Sequence, residues 1–339
     1  MKKPLVTIFI PVFNSEQYLK ESINSILNQT YNNIELLLVD DGSTDNSVKL
    51  IQSIDDPRIR LLQNKGNKGI PYTRNVGLRE ARGKYMAIMD SDDIAMPTRI
   101  ETQVNYLENN PDIDAIGSYY IKFTDNNERK ISVRYTKADE IKMMLLYFTP
   151  ISNPSSMVRI STVKENNLSY NEDFFVSQDY EFWAQLSKVG KIEVVEDYLL
   201  KYRTGHENIT KVSKQEKLEK RNKLISRIHE DLLNYYGINL TEEEKFIYNQ
   251  IFSQNPKSIQ NIDNIPVVIN KLKEWANSNS IFNKDKFMII LDENLRIGIS
   301  NQSFGTREKL RIYRETITNK KVKDIFFIVV KDFYYKVKQ

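Results

Sequence analysis

Three carboxylates within four positions, Asp90-Ser91-Asp92-Asp93, close the short apolar run Met86-Ala87-Ile88-Met89. Acidic side chains packed this closely repel one another and raise their own pKa unless a cation sits between them. A hard divalent metal bridging carboxylate and phosphate oxygens is the usual partner of such a set. The same residues could instead cap a helix expected from Pro97 onward, but one Asp is enough for a cap. A fourth acidic candidate, Asp179, stands in Gln178-Asp179-Tyr180-Glu181-Phe182-Trp183. The pattern predicts a helix from Gln178, so Asp179 falls in its first turn, where the helix dipole favours the ionised form. Serving that dipole alone is its simpler use, a role worth under ~1 kcal/mol at an exposed position. Arg74 is the basic candidate, with an ion pair to Glu80 of its own helix as the alternative. Lys65 and Lys68 read as solvated loop charges.

These residues need elements to hold them. The β-branched run 5–10 predicts a buried strand stopped by Pro11. Asn14 with Gln17 three residues on resembles a capping box, and Leu19, Ile23, Ile26 and Leu27 follow on one helical face. A second strand, 34–39, ends in Asp40-Asp41-Gly42-Ser43-Thr44-Asp45, and a third, 58–62, leads into the loop 64–69. A helix with Tyr72, Arg74, Asn75 and Gly77 precedes the fourth strand, 84–89. This alternation calls for a parallel sheet wound by right-handed crossovers. The loops 11–14, 40–43, 64–69 and 90–93 then converge on one crevice at the carboxyl ends of the strands. No G-x-G-x-x-G follows the first strand and no Walker loop is present, so a phosphate ligand must be held by metal and basic side chains.

Beyond Asp93 the pattern predicts a helix over 97–108, a strand over 113–123, a helix over 139–148 and a turn into a strand at 153–158. Phe182, Leu186 and Val189 should lie on the buried side of the helix that starts at Gln178, and Trp183 reads as core. Two strands, 192–195 and 198–202, lead to Arg203-Thr204-Gly205-His206. For contact with a sugar, Asn153 and Ser155 are candidates.

The length, 339 residues, suits one large domain and one smaller one. With 40% hydrophobic and 28% charged residues the composition is that of a soluble globular protein, and there are no cysteines for disulfides or thiolate metal sites. The start, Met1-Lys2-Lys3-Pro4, lacks the features of a secretory signal, and the apolar run 325–330 is too short to span a bilayer. A cytoplasmic location is expected. The net charge of +4 is mild and does not argue for nucleic acid. From Ser213 the chain turns helical, charged and Asn-rich. Leu218, Ile225, Ile228, Leu232 and Tyr235 form a stripe that needs a partner face. Further helices are expected over 241–253, 267–277, 284–295 and 306–316, as an appendage that closes over the acceptor side or supports a homodimer. In the tail, 320–339, Val322, Ile325, Phe326, Val329, Phe333 and Val337 share one face flanked by lysines. Such a face suits an anionic membrane surface, or it packs on the protein itself.

Five stretches together resemble the family 2 glycosyltransferases, which have the GT-A fold. They are Ile8-Phe9-Ile10-Pro11-Val12-Phe13-Asn14, Val39-Asp40-Asp41-Gly42-Ser43-Thr44-Asp45, Arg74-Asn75-Val76-Gly77, Asp90-Ser91-Asp92-Asp93 and Gln178-Asp179-Tyr180-Glu181-Phe182-Trp183, in the family's order. They cover roughly residues 4–210, which sets that span as the transferase domain and 211–339 as the helical region. The resemblance implies an α/β fold with a mostly parallel, Rossmann-like sheet flanked by helices, and inverting transfer of one sugar from a nucleotide sugar, commonly a UDP-sugar. It implies that Pro11, Phe13 and Asp41 surround the nucleobase, with Arg74, Asp90 and Ser91 on the rest of the nucleotide. It places Asp92 and Asp90 on Mn2+ or Mg2+ and makes Asp179 the general base. The nearest likeness is to bacterial enzymes that build capsule or lipopolysaccharide. This implies a glycan acceptor; were that glycan carried on a lipid, the basic tail would suit work at the inner face of the plasma membrane.

Two positions depart from the family pattern. Many relatives have Glu where this chain has Gln178, which leaves Asp179 as the base, with Glu172, Asp173 and Glu181 as substitutes. Relatives often place a His two residues after a Tyr-Arg pair. Here Gly205 takes that place and His206 follows, so His206 is either a metal ligand or a surface or core residue. The processive motif Q-x-x-R-W is absent, so one sugar per encounter is expected. A sugar-nucleotide nucleotidyltransferase shares a nucleotide-binding sheet and a divalent metal, but it calls for a Gly-rich basic loop where Pro11-Val12-Phe13-Asn14 stands. A non-catalytic glycan- or nucleotide-binding protein is the third reading, and the retained carboxylates weigh against it.

Overall fold

The computed structural model describes residues 3–205, 218–252, 261–321 and 324. These fall into two compact units, one drawn from Met1–Lys142 and Thr149–Lys217, the other from Met143–Phe148 and Leu218–Gln339.

The first unit is built on a nine-stranded sheet. Strands β1 (Val6–Val12), β2 (Ile34–Asp40), β3 (Ile59–Gln63) and β4 (Tyr85–Ile88) alternate with helices α1 (Leu19–Leu27), α2 (Ser47–Gln52) and α3 (Ile70–Glu80). They lie side by side in the order β3-β2-β1-β4, all parallel. Every residue of β1, β2 and β4 is buried, which is why their sequences read as continuous apolar runs instead of alternating ones. Beyond β4 the sheet changes character. β5 (Ile94–Ala95), helix α4 (Arg99–Asn109), β6 (Ala115–Thr124), β7 (Asn127–Ile131), helix α5 (Ala138–Met144), β8 (Met157–Arg159), helices α6 (Ile160–Glu165) and α7 (Gln178–Val189) and β9 (Ile192–Arg203) complete the series. β8 pairs antiparallel with both β4 and β6, while β9 runs parallel to β6.

Several sequence expectations are corrected. Pro11 does not stop β1; it lies inside the strand opposite Val39. Val6 N–H donates to Asn33 on the β2 side, and Phe9 accepts from Met89 N–H on the β4 side, so successive residues face opposite neighbours. Pro11 shares the side of Phe9, and pairing with β4 has ended by then, so no partner misses its N–H. Asn14 caps no helix. It adopts φ +47° and its Oδ1 accepts from Thr44 N–H at 2.8 Å, tying the end of β1 to the loop after β2. The two strands expected over 192–202 are the single strand β9, whose pairing with β6 shifts register around Tyr119. Val189 is half exposed at the end of α7, whereas Phe182, Trp183 and Leu186 are buried.

Two glycines set close approaches. Gly42, at φ +79°, lies so near Gly66 that a Cβ would meet its backbone at 2.7 Å. Gly77 lets α3 rest on the Phe9 ring of β1, where a Cβ would stand 2.6 Å from the ring.

The second unit holds helices Leu218–Tyr235, Glu242–Phe252, Ile265–Ser278, Lys284–Asn301 and Thr306–Thr316. Ile225, Ile228 and Leu232 of the expected stripe are buried; Tyr235 is half exposed and Tyr236 takes the inward place. The stretch 143–148, read from sequence as part of the first domain, packs here. Its Tyr147 carbonyl lies 3.2 Å from Nε2 of the fully buried His229, whose Nδ1 lies 2.7 Å from Asn249 Oδ1. Burial pushes His229 down to about 4, against both hydrogen bonds. Most of the tail, including the face from Ile325 onward, lies outside the described residues. No helix among the described residues is long and apolar enough to cross a membrane.

Replacing Gly77 with Ala should destabilise the protein by about 1–3 kcal/mol through overpacking against Phe9, less the gain in helix propensity. Urea denaturation measures this; an unchanged or higher midpoint contradicts the packing argument. His229 supplies a pH dependence. Between its ordinary 6.5 and its folded value of about 4, the unfolded chain takes up a proton that the folded chain refuses. Stability is therefore full above 6.5 and declines as pH falls, by about 3 kcal/mol in all. His229→Gln should flatten this dependence in melts recorded across the interval, and a variant with the wild-type slope contradicts it.

Candidate active site

In the strand order β3-β2-β1-β4 the chain leaves β1 toward β2 and later returns to β4 on the opposite side of β1. Carboxyl-end loops part at such a reversal and open a crevice. The predicted chemistry collects there. Pro11 is buried in β1 and Phe13, just past its end, is 46% exposed. Asn14 N–H donates to Ser43 Oγ, Ser15 N–H to Ser47 Oγ and Glu16 N–H to Asp45, which closes the loop after β1 onto the loop after β2.

Asp41 is buried and largely committed to its own chain. Its Oδ1 accepts from Asn64 Nδ2 at 2.8 Å and Lys68 N–H at 2.9 Å, and its Oδ2 from Gly69 N–H at 2.8 Å. A carboxylate offers about four acceptor positions, so one on Oδ2 is left. Lys65 and Lys68 are exposed, as expected of solvated charges.

The carboxylates after β4 divide. Asp90 lies 3.5 Å from Arg74 Nη2, which replaces the considered Arg74–Glu80 pair, since Arg60 takes Glu80 instead. Loss of surrounding water raises the Asp90 carboxyl to about 6; Arg74 opposes the rise, and Asp92 and Asp179 add to it. Ser91 shares a 2.7 Å hydrogen bond with Ser15. Asp92 is half-buried on the turn. Asp93, by contrast, turns inward and is fully buried, so the set offered to a ligand is smaller than the three that the sequence suggested. Its Oδ1 accepts from Arg203 N–H at 2.9 Å, and burial, then Asp90 and Asp92, hold its pKa well above the ordinary range. Below the turn, the buried Arg99 donates to the carbonyls of Ile88 at 2.7 Å and Ser156 at 3.2 Å.

Arg74 is 5% exposed, on α3, and its guanidinium lies 5.4 Å from the centre of the Tyr170 ring. Its Nε and Nη1 are buried with no hydrogen-bond partner. Asn75 beside it donates to the Tyr170 carbonyl and accepts from Tyr170 N–H, both at 2.8 Å. Asp179 is half-buried in the first turn of α7, where Ser177 enters with φ +60°. Its charge reaches both Asp90 and Tyr170. Arg74, Asp90, Asp92 and Asp179 thus share one electrostatic neighbourhood. Ser155 is buried, its Oγ bonded to Ser118 and Ser152, and Asn153 is buried too, so neither is open to a sugar. His206 lies outside the described residues. Among the described residues no group of three or more acidic or histidine side chains could hold a metal ion unaided.

Sequence reasoning missed Arg203 and Tyr170. Arg203 carried a signal, as half of the Tyr202-Arg203 pair; Tyr170 had none.

The family model described as glycosyl transferase family 2 matches residues 7–168. An uncharacterized glycosyltransferase of Haemophilus influenzae is 36% identical over 69% of this chain and 74% of its own. The Escherichia coli protein WfaP, named as a UDP-Glc:alpha-D-GlcNAc-diphosphoundecaprenol beta-1,3-glucosyltransferase, is 30% identical over 55% of this chain and 71% of its own. The crystal structure of S. aureus TarS 1-349 in complex with UDP-GlcNAc is similar with a TM-score of 0.60, at 18% identity over 98% of this chain and 92% of that one. That likeness is one of fold, the α/β GT-A arrangement. On the sequence match and the fold together, the chain is a glycosyltransferase and belongs to glycosyl transferase family 2.

Proposed function

We propose that the protein transfers one sugar, with inversion, from a UDP-sugar to a hydroxyl of a glycan acceptor in cell-surface polysaccharide synthesis, using a divalent cation. The observation that carries this reading is the gathering of Arg74, Asp90 and Asp179 at the β1/β4 crevice. UDP is favoured as the carrier because WfaP and TarS are named with it, and the lipid-linked acceptor named for WfaP supports the glycan acceptor.

Phe13 offers an exposed ring to the base, and the remaining acceptor position on Asp41 suits the imide N–H of uracil. Arg74, buried with two unmet donors, favours the ionised state of an anion beside it. Asp90 and Asp92 fit a hard cation: both are oxygen donors, and they stand two residues apart on the turn after β4. With only two such carboxylates, diphosphate oxygens and water would complete the coordination. When bound, the cation offsets charge that develops on the leaving diphosphate.

Asp179 accepts the proton of the attacking hydroxyl. The acceptor oxygen bonds to the anomeric carbon as the bond from that carbon to the diphosphate oxygen breaks, and UDP departs with the electron pair. One displacement of this kind inverts the anomeric configuration and needs no covalent sugar on the protein.

Asp92→Ala should remove the part of UDP affinity that depends on Mn2+; titration calorimetry that finds that part intact contradicts the metal assignment. Asp179→Asn should bind UDP as the wild type does while its transfer rate falls by about 10²–10⁴-fold. Near-normal UDP release from that variant rejects Asp179 as the base. The wild type should release UDP from a UDP-sugar, and release of pyrophosphate would move it to the nucleotidyltransferases.

A further inference from the structure

Arg203, the last residue of β9, is 7% exposed and so is closed off from any substrate. Its contacts nevertheless run to the turn that carries Asp92. Its Nε donates to the Asp92 carbonyl at 2.9 Å, and its backbone N–H donates to Asp93 Oδ1, also at 2.9 Å. Its Nη2 pairs with Glu21 of α1. The central carbon of the guanidinium lies over two rings, 4.3 Å from the centre of Tyr18 and 4.5 Å from that of Phe123. Four parts of the first unit therefore converge on one planar cation: the turn before α1, α1 itself, β6 and the turn after β4.

The need for such a device follows from the charges. Asp90, Asp92 and Asp93 lie within four residues, and carboxylates this close repel one another. Left alone, a turn of this composition would relax by swinging one carboxylate away. A backbone carbonyl held by a rigid, permanently charged donor cannot do so freely, and the carbonyl held here is that of Asp92 itself. A guanidinium can also stack on aromatic faces in a way that an ammonium does not.

We infer that Arg203 is a positioning residue for metal-dependent nucleotide binding: it fixes the Asp92 backbone so that its carboxylate faces the diphosphate, without touching the ligand. This rests on the assignment of Asp92 to the cation. The inference predicts a selective loss, because UDP binding without metal draws on Phe13, Asp41 and Arg74, which Arg203 does not contact.

The test is calorimetric titration of the full chain with UDP, with and without Mn2+. Arg203→Gln should lower the Mn2+-dependent affinity by about 10- to 100-fold and leave the metal-free affinity unchanged, with Arg203→Lys between it and the wild type. Glu21→Gln, which only loosens the anchor of the guanidinium, should cause a loss of about two- to fivefold in the same direction. It also serves if the Arg203 variants fail to fold. Mn2+-dependent affinity that survives Arg203→Gln overturns the inference, as does an equal loss with and without metal. If the wild type gains no UDP affinity from Mn2+, the metal assignment itself falls and takes this inference with it.

Discussion

Negative charge confined at the end of β4 is the constraint on which the site depends. Asp90, Asp92, Asp93 and Asp179 share a small region, Asp93 fully buried and the other three half-buried, where like charges cost more than they would in solution. Guanidiniums from three separate elements surround the group. Arg74 on α3 faces Asp90, Arg99 on α4 lies buried below the turn, and Arg203 on β9 holds the turn's backbone. Burial pulls Arg99 down to about 10, while Asp93 and Asp90 pull it back up, so acid and base are each costly here and each sustains the other. Asp93, held well above the ordinary range chiefly by burial, turns its Oδ1 to the backbone N–H of Arg203 in β9, away from the crevice.

The surrounding loops are tied to one another more than to solvent. Asn14, Ser15 and Glu16 bond to the stretch 43–47, Asp41 bonds to the loop 64–69, and Ser15 bonds to Ser91. The crevice is thus shaped before any ligand arrives, which lowers the entropy lost on binding. Gly42 and Gly77 allow the contacts on which this depends, the first between two loops and the second between α3 and β1.

Much of this was legible in the sequence, for identifiable reasons. The buried parallel strands announce themselves as apolar runs that end in polar loops, and those loops must meet at one edge, so Asp41 and Asp90 could be set near one crevice from order alone, whereas Arg74 and Asp179 were placed beside them only by the family resemblance. What escaped was whatever depends on side-chain direction. Asn14 has the composition of a helix cap but a left-handed backbone that turns it toward Thr44. Three acidic positions within four residues look equivalent until the turn sends Asp93 inward. Asp41 looks free for a base until the backbone of the loop 64–69 is seen to occupy most of it. Arg203 lies more than a hundred residues from the carboxylates it steadies, a pairing that periodicity does not reveal.

The account stands or falls on where the nucleotide and cation bind. Crystals grown with UDP and Mn2+ locate both, the metal by its anomalous scattering. The anomalous peak is predicted between the diphosphate and the carboxylates of Asp90 and Asp92, with the uracil ring against Phe13. A peak elsewhere, or a diphosphate seated away from the end of β4, would contradict it.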